Sequence, residues 1–249
     1  WIHHPELAKE VDFIAAHILP YWEGVPADQA LQFTLDRYEQ LHRAFPDKPI
    51  LIAEVGWPSH GNRKLLSVAS QTNQAHFLRR FLNAADKRGI DYFVMEAFDQ
   101  PWKQPIEGTV GAYWGILDAD RTQKFAMYGQ VAENPWWLAE AITASLLALV
   151  PMAWFVARWR DLRSRGRLFF AFLIQLSVSA ATWAACVPFT EYMSVASTVM
   201  WSLLLPAQIM ILLVMLINGF ELTEMTWLRR MRREFRPSVP EAGGFQPKV

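Results

Sequence analysis

PILIAEVGWPS (Pro49–Ser59) sets four apolar residues, Ile50 to Ala53, directly before a single carboxylate, Glu54, and then turns through Gly-Trp-Pro-Ser. A short apolar, β-branched run bounded by Pro and Gly reads as a buried strand. A charge at the end of such a strand has two readings. It is a solvated or salt-bridged strand terminus, or it is a reactive group held on a rigid support. Three features favour the second. The strand is wholly apolar, Gly56 and Pro58 shape a tight turn, and Trp57 offers an apolar face that suits the C–H face of a pyranose ring.

Working outward, the same pattern repeats. VDFIAAHIL (Val11–Leu19) is β-compatible. Pro26–Phe45 has helical periodicity, with Ala30, Phe33, Leu41 and Phe45 on one face and Leu31 and Leu35 beside it. Thr72–Gly89 is a second helix, with Thr72 as candidate N-cap and Gly89 as its stop. DYFVMEAF (Asp91–Phe98) is a third strand. Alternating strands and helices imply parallel pairing with helical crossovers. The spacing of roughly 40 residues fits βα units of a (β/α)8 barrel, in which chemistry sits where strands end. The expected fold class is therefore α/β, a partial TIM barrel made of the last three βα units. Because the chain opens on Trp1 and closes on GFQPKV, we expect an internal piece of a longer protein. Strand-end positions bring forward Glu54, His17 and Tyr21, Glu96 and Asp99.

Composition removes other classes. The 24 basic and 24 acidic residues cancel, which argues against an electrostatic nucleic-acid binder. One cysteine, Cys186, excludes an intrachain disulfide and a cysteine-rich zinc site. His3 and His4 are adjacent, poor spacing for a metal, and no phosphate loop or HExxH pattern occurs. No cofactor is expected for this part.

LIAEVGWPS resembles the nucleophile motif of glycoside hydrolase family 17, the β-1,3-glucanases and glucan transglycosylases. FVMEAFDQPWK resembles the family's last-strand segment, nearest its fungal transglycosylase branch, and GAYWGILDADRTQKF its closing segment. The resemblance covers about Trp1 to Gln130 and implies that Glu54 is the catalytic nucleophile. With the strand-end reading it gives a candidate substrate-binding rim of Tyr21, Trp57, Glu96, Asp99, Gln100, Trp102, Lys103 and Trp114, in which Lys103 matches a family lysine that contacts sugar hydroxyls or the rim carboxylate. Packing at the barrel mouth is the competing reading for Trp22, Trp102 and Trp114. Two positions depart from the pattern: Val55 stands where Ser or Thr is usual, and Gln100 where Glu is common. A retaining mechanism needs two carboxyl groups about 5 Å apart. The family's acid follows an earlier strand and is expected outside these residues. Glu96 is a substrate-site or pKa-tuning residue, or a structural one.

Beyond Asn134 the chain changes character. Leu138–Ala157, Leu168–Phe189 and Val195–Phe220 are each long and apolar enough to cross a bilayer. Pro151 is expected to kink the first. Trp136, Trp137, Trp159 and Trp227 flank the spans like an aromatic belt. The first link carries Arg158, Arg160, Arg163, Arg165 and Arg167, the second link no cation, and the tail Arg229, Arg230, Arg232, Arg233 and Arg236. The positive-inside rule places the first link and the tail in the cytoplasm and the glycosidase-like part outside. The expected division is residues 1–134 as the C-terminal part of the barrel, 135–228 as three membrane helices, and 229–249 as a basic linker. Its closing PKV resembles the lead-in to a family 2 glycosyltransferase. The combination resembles bacterial inner-membrane β-glucan synthases, with β-glucan and the lipid bilayer as partners. Two alternatives stay open: a non-catalytic glucan-guiding domain and a plain membrane-anchored glucanase.

Overall fold

A computed structural model of the protein describes residues 1–228. They form two compact units that divide after Pro135.

The first unit is built on three parallel strands in the order β1–β2–β3: β1 (Ile14–His17), β2 (Ile50–Val55) and β3 (Asp91–Val94). Two crossover helices connect them, α1 (Ala30–Ala44) and α2 (Gln71–Arg88). The expected α/β alternation and parallel pairing are present, in a sheet of three strands. The strands are shorter than the apolar runs. Met95 N–H still donates to Val55 O at 2.8 Å, but the chain then leaves β2. Residues 96–99 pair instead with 114–117, through Glu96 N–H to Trp114 O (3.1 Å) and Asp99 N–H to Leu117 O (3.0 Å).

Helix α2 buries Gln74, Ala75, Phe77, Leu78, Phe81 and Ala85, one face at three- and four-residue spacing. They pack on Ile52 and Val55 of β2. Its N-cap is Ser70, not Thr72: Ser70 Oγ accepts from Asn73 N–H at 3.0 Å. The Glu133 carboxylate takes the next two free donors, Gln71 N–H (3.2 Å) and Thr72 N–H (3.1 Å). A carboxylate is favoured there by both the unpaired donors and the helix dipole. Gly89 ends α2 at φ +63°, a left-handed turn that glycine adopts without a Cβ penalty. Helix α1 buries Ala30, Thr34, Leu35 and Leu41; Phe33, expected on its buried face, is half-buried.

Strand β2 carries an irregularity that positions the site. Ala16 pairs with Ile52 and His17 with Glu54, so β2 has one residue more than β1 over this interval. Against β3, Ile52 pairs with Tyr92 and Val55 with Val94, again one residue extra on β2. Strict alternation would put Glu54 on the helix-packed face with Ile50 and Ile52. The bulge changes the phase: Val55 is fully buried and Glu54 turns to the opposite face.

Beyond β3 come a 3-10 turn (Pro101–Lys103), a single helical turn α3 (Gln104–Glu107) and a second 3-10 turn (Thr109–Ala112).

The second unit contains α4 (Trp137–Arg158), α5 (Ser164–Thr190) and α6 (Val195–Trp227). All three are long and apolar enough to cross a membrane. Each is longer than its expected span, and α4 continues through Pro151 as one helix. Phe155, Phe170 and Ile174 are buried between helices, with Phe220 and Trp159 packed around Phe155. A Cβ on Gly166 would stand 2.6 Å from Trp227 Cβ, so α5 and α6 meet closely at that end. The expected linker 229–249 lies outside the described residues.

Candidate active site

Glu54 is the penultimate residue of β2, on the face away from the helices. Its backbone is held by Ile18 N–H, which donates to Glu54 O at 2.9 Å. Its Oε2 lies 3.2 Å from His17 Nδ1, and the two side chains are 39% and 61% exposed. Glu54 is thus reachable from solvent, held through its backbone and within hydrogen-bonding distance of an imidazole. Sequence reading singled out His17 only as a strand-end residue; the bulge is what pairs it with Glu54.

The aromatic residues divide. Trp57 is fully buried, its Nε1 donates to Val68 O at 3.0 Å, and its ring packs edge-on to Tyr21 at 5.6 Å. Trp114 is fully buried and Tyr21 is 1% exposed. Tyr21 donates its hydroxyl to Asn62 O, and burial raises its pKa. These three form a packed layer beneath the strand ends and present no open face. Trp57, expected as a stacking platform, thus has its ring folded into the core after the Gly56–Pro58 turn. Trp22 is half-buried and stacks on Trp114 at 5.9 Å. Trp102 is 63% exposed, with Lys103 Nζ over its ring at 5.8 Å.

Glu96 and Asp99 lie past β3 in different settings. Glu96 Oε2 accepts from Lys103 Nζ at 2.6 Å and from Gln100 Nε2. Its Oε1 is buried without a hydrogen-bond partner among the described residues. Burial raises the Glu96 pKa, and the Lys103 hydrogen bond and charge pull it back. Lys103 and Glu96 are thus an ion pair past the end of β3.

Asp99 is a core residue, 5% exposed. Its Oδ1 accepts from Lys124 Nζ at 2.6 Å and from Gly115 N–H at 2.9 Å. Lys124 also donates to Ser59 Oγ at 2.7 Å, linking the closing segment to the turn after Glu54. Burial lowers the Lys124 pKa, and Asp99 opposes the shift. Asp99 thus clasps the closing segment through Gly115 and Lys124. Lys124 escaped the sequence reading because nothing in its local pattern marks a buried cation. Gln74 escaped it too: its Nε2 donates to Trp114 O (3.1 Å) and Gly115 O (3.0 Å) from inside α2. A glutamine on the apolar face of a helix was its available signal. Among the described residues, no group of three His, Cys, Asp or Glu is placed to hold a metal ion.

Residues 1–115 match the family model described as the BtgE/BtgC glycoside hydrolase domain. The chain is 32% identical over 136 residues to the probable glucan endo-1,3-beta-glucosidase btgC of Aspergillus terreus, a match covering 48% of this chain and 21% of that protein. It thus spans about a fifth of the length of the curated relatives it matches. A glycoside hydrolase family 17 beta-1,3-glucanosyltransferase from Rhizomucor miehei is 39% identical, with a TM-score of 0.45, covering 47% of this chain and 43% of that one. An active-site mutant of the Rhizomucor miehei enzyme in complex with laminaritriose is 36% identical, with a TM-score of 0.46 and coverage of 50% and 46%. The N-terminal 115 residues of this chain thus resemble the glycoside hydrolase domain of the BtgE/BtgC kind.

Proposed function

We propose that the first unit belongs to a retaining β-1,3-glucan hydrolase or transglycosylase in which Glu54 is the nucleophile. The observation that supports it most directly is the β2 bulge, which turns Glu54 out of the helix-packed face at a strand end, inside the segment matched by the glycoside hydrolase model. The carboxylate attacks the anomeric carbon and the aglycone leaves with a proton from a general acid. Water or a sugar hydroxyl then displaces the resulting glycosyl ester. His17 orients the Glu54 carboxylate before attack. Glu96 does not act as the acid, since Lys103 and Gln100 hold it. It belongs to the substrate rim with Gln100, Lys103 and the exposed ring of Trp102. Tyr21, Trp57 and Trp114 support that rim from beneath, and Asp99 fixes the closing segment.

The finer reading places this unit outside a membrane crossed by α4, α5 and α6. The arginine-rich link and tail are cytoplasmic. The whole resembles a membrane-bound β-glucan synthase with a family 2 glycosyltransferase domain, in a bacterial inner membrane. The relatives named above are fungal, so the bacterial assignment rests on the arrangement of spans and arginines.

Glu54→Gln in the full-length parent tests the chemistry. Turnover of β-1,3-glucan oligosaccharides is expected to fall at least ~10³-fold, about 4 kcal/mol of transition-state stabilisation. Oligosaccharide binding persists. Mass spectrometry after trapping with a fluorinated glycosyl donor places the adduct on Glu54. An adduct on Glu96, or full turnover in the variant, overturns the assignment. A parent that binds laminari-oligosaccharides without turning them over favours the glucan-guiding reading.

A further inference from the structure

Every cation between residues 136 and 247 is an arginine: ten Arg and no Lys. Residues 1–135 mix seven Arg with six Lys. Membrane orientation does not account for this, because lysine and arginine count alike in the positive-inside rule. The difference between them lies in recognition. Guanidinium is a flat fork that pairs with two phosphate oxygens at once, whereas ammonium is a hydrated point charge.

Five of the ten lie at the α4–α5 turn: Arg158, Arg160, Arg163, Arg165 and Arg167. The turn is anchored. Leu162 is 1% exposed and bridges Leu228. Arg163 N–H donates to Trp227 O at 3.0 Å. Trp159 packs against Phe155 and Phe220. From this base Arg158, Arg160, Arg163 and Arg165 are exposed. Asp161 lies within the turn, and Glu221 and Glu224 in the last turns of α6. Among the described residues none of these carboxylates forms an ion pair with the five arginines. Their side-chain interactions are Arg158 over the Trp159 ring at 5.4 Å and Arg167 Nη2 to Ser164 Oγ at 3.5 Å. Trp159 and Trp227 flank the turn at the ends of the apolar helices, the position that aromatic rings favour at a headgroup level.

We propose that the α4–α5 turn is a binding site for the phosphate headgroup of anionic phospholipids. The arginine forks take the headgroup oxygens while the acyl chains lie along the exposed apolar helices. The proposal rests on the membrane-spanning reading of α4–α6. It goes beyond it by naming the lipid class and the turn that selects it.

The test uses the full-length chain purified in detergent and offered equal amounts of phosphatidylglycerol and phosphatidylcholine. Retained lipid is read by native mass spectrometry. Phosphatidylglycerol is expected to be retained at least ~5-fold over phosphatidylcholine. The triple variant Arg160→Lys, Arg163→Lys, Arg165→Lys keeps charge and orientation and is expected to lose most of that preference. Soluble glycerol phosphate is expected not to displace the lipid at comparable concentration. Equal retention of the two lipids, or a lysine variant that selects like the parent, overturns the site as a phosphate fork. Displacement by glycerol phosphate overturns the lipid assignment. The underlying reading is checked separately: a chain that leaves membranes on alkaline carbonate washing does not span them, whatever lipid it prefers.

Discussion

Glu54, Glu96 and Asp99 show how one carboxylate chemistry divides by environment. Glu54 is open to solvent beside His17, Glu96 is enclosed with Lys103, and Asp99 is buried on Lys124. Glu96 carries a pH signature. Its folded pKa lies above the ordinary value of 4.5, so the folded state holds a proton that the unfolded chain releases. Its contribution to stability is full below pH 4.5 and is lost as pH rises through the raised value. Glu96→Gln removes this loss, so the melting temperature of the variant relative to the parent should climb from pH 4 to pH 7. A constant difference across that window contradicts the burial-raised pKa. Lys124→Met acts in the opposite sense. It leaves Asp99, 2% exposed at its side chain, without its cation and should cost about 3–5 kcal/mol. Adding Asp99→Asn should restore much of that in denaturant titration. A single variant as stable as the parent would show that the clasp is not structural.

At the scale of elements, the bulge in β2 and the turn that follows it form one device. The bulge rotates Glu54 outward, and Gly56 lets the chain pass β3 immediately afterwards. A Cβ at Gly56 would stand 2.1 Å from Met95 O, a backbone atom that cannot rotate away. Gly56→Ala should therefore destabilise the first unit by at least about 2 kcal/mol, in the range of overpacked sites. It should also lower turnover, because the strand end carrying Glu54 must shift. An unchanged thermal midpoint together with unchanged turnover would show that β2 and β3 separate there without cost. The closing segment is a second device. Glu133 caps α2, Gln74 holds the carbonyls of Trp114 and Gly115, and Lys124 spans Asp99 and Ser59. Three separate polar tethers thus fix a stretch with little regular structure.

The molecule as a whole joins a parallel α/β unit to three apolar helices, and the arginine asymmetry gives a testable orientation. In a Cys186→Ser background, a cysteine placed at Arg163 should resist an impermeant thiol reagent in intact cells. One placed at Asn62 should react once the outer envelope is permeable. The reverse pattern would place the first unit in the cytoplasm and overturn the proposed orientation.

Sequence alone determined the local and periodic features. Apolar runs and helical spacing marked three strands, two crossover helices and three membrane-length helices, because each element's burial pattern is written at its own period. Glu54 was legible for the same reason, since a strand-end charge is visible in one short stretch. Strand ends and long-range partners required the tertiary structure. Val94 ends β3 because Glu96–Asp99 finds its hydrogen-bond partners at Trp114–Leu117, and no local pattern encodes that choice. The fate of the tryptophans was decided in the same way. Trp57 and Trp114 are buried and Trp102 is exposed, although all three lie in motif-like stretches, because burial depends on what the rest of the chain packs against them. Lys124 is the clearest case. Its side chain is held in the core by Asp99, Ser59 and Tyr113 O, which converge on it from 25, 65 and 11 residues away, and convergence across such distances is a property of the fold.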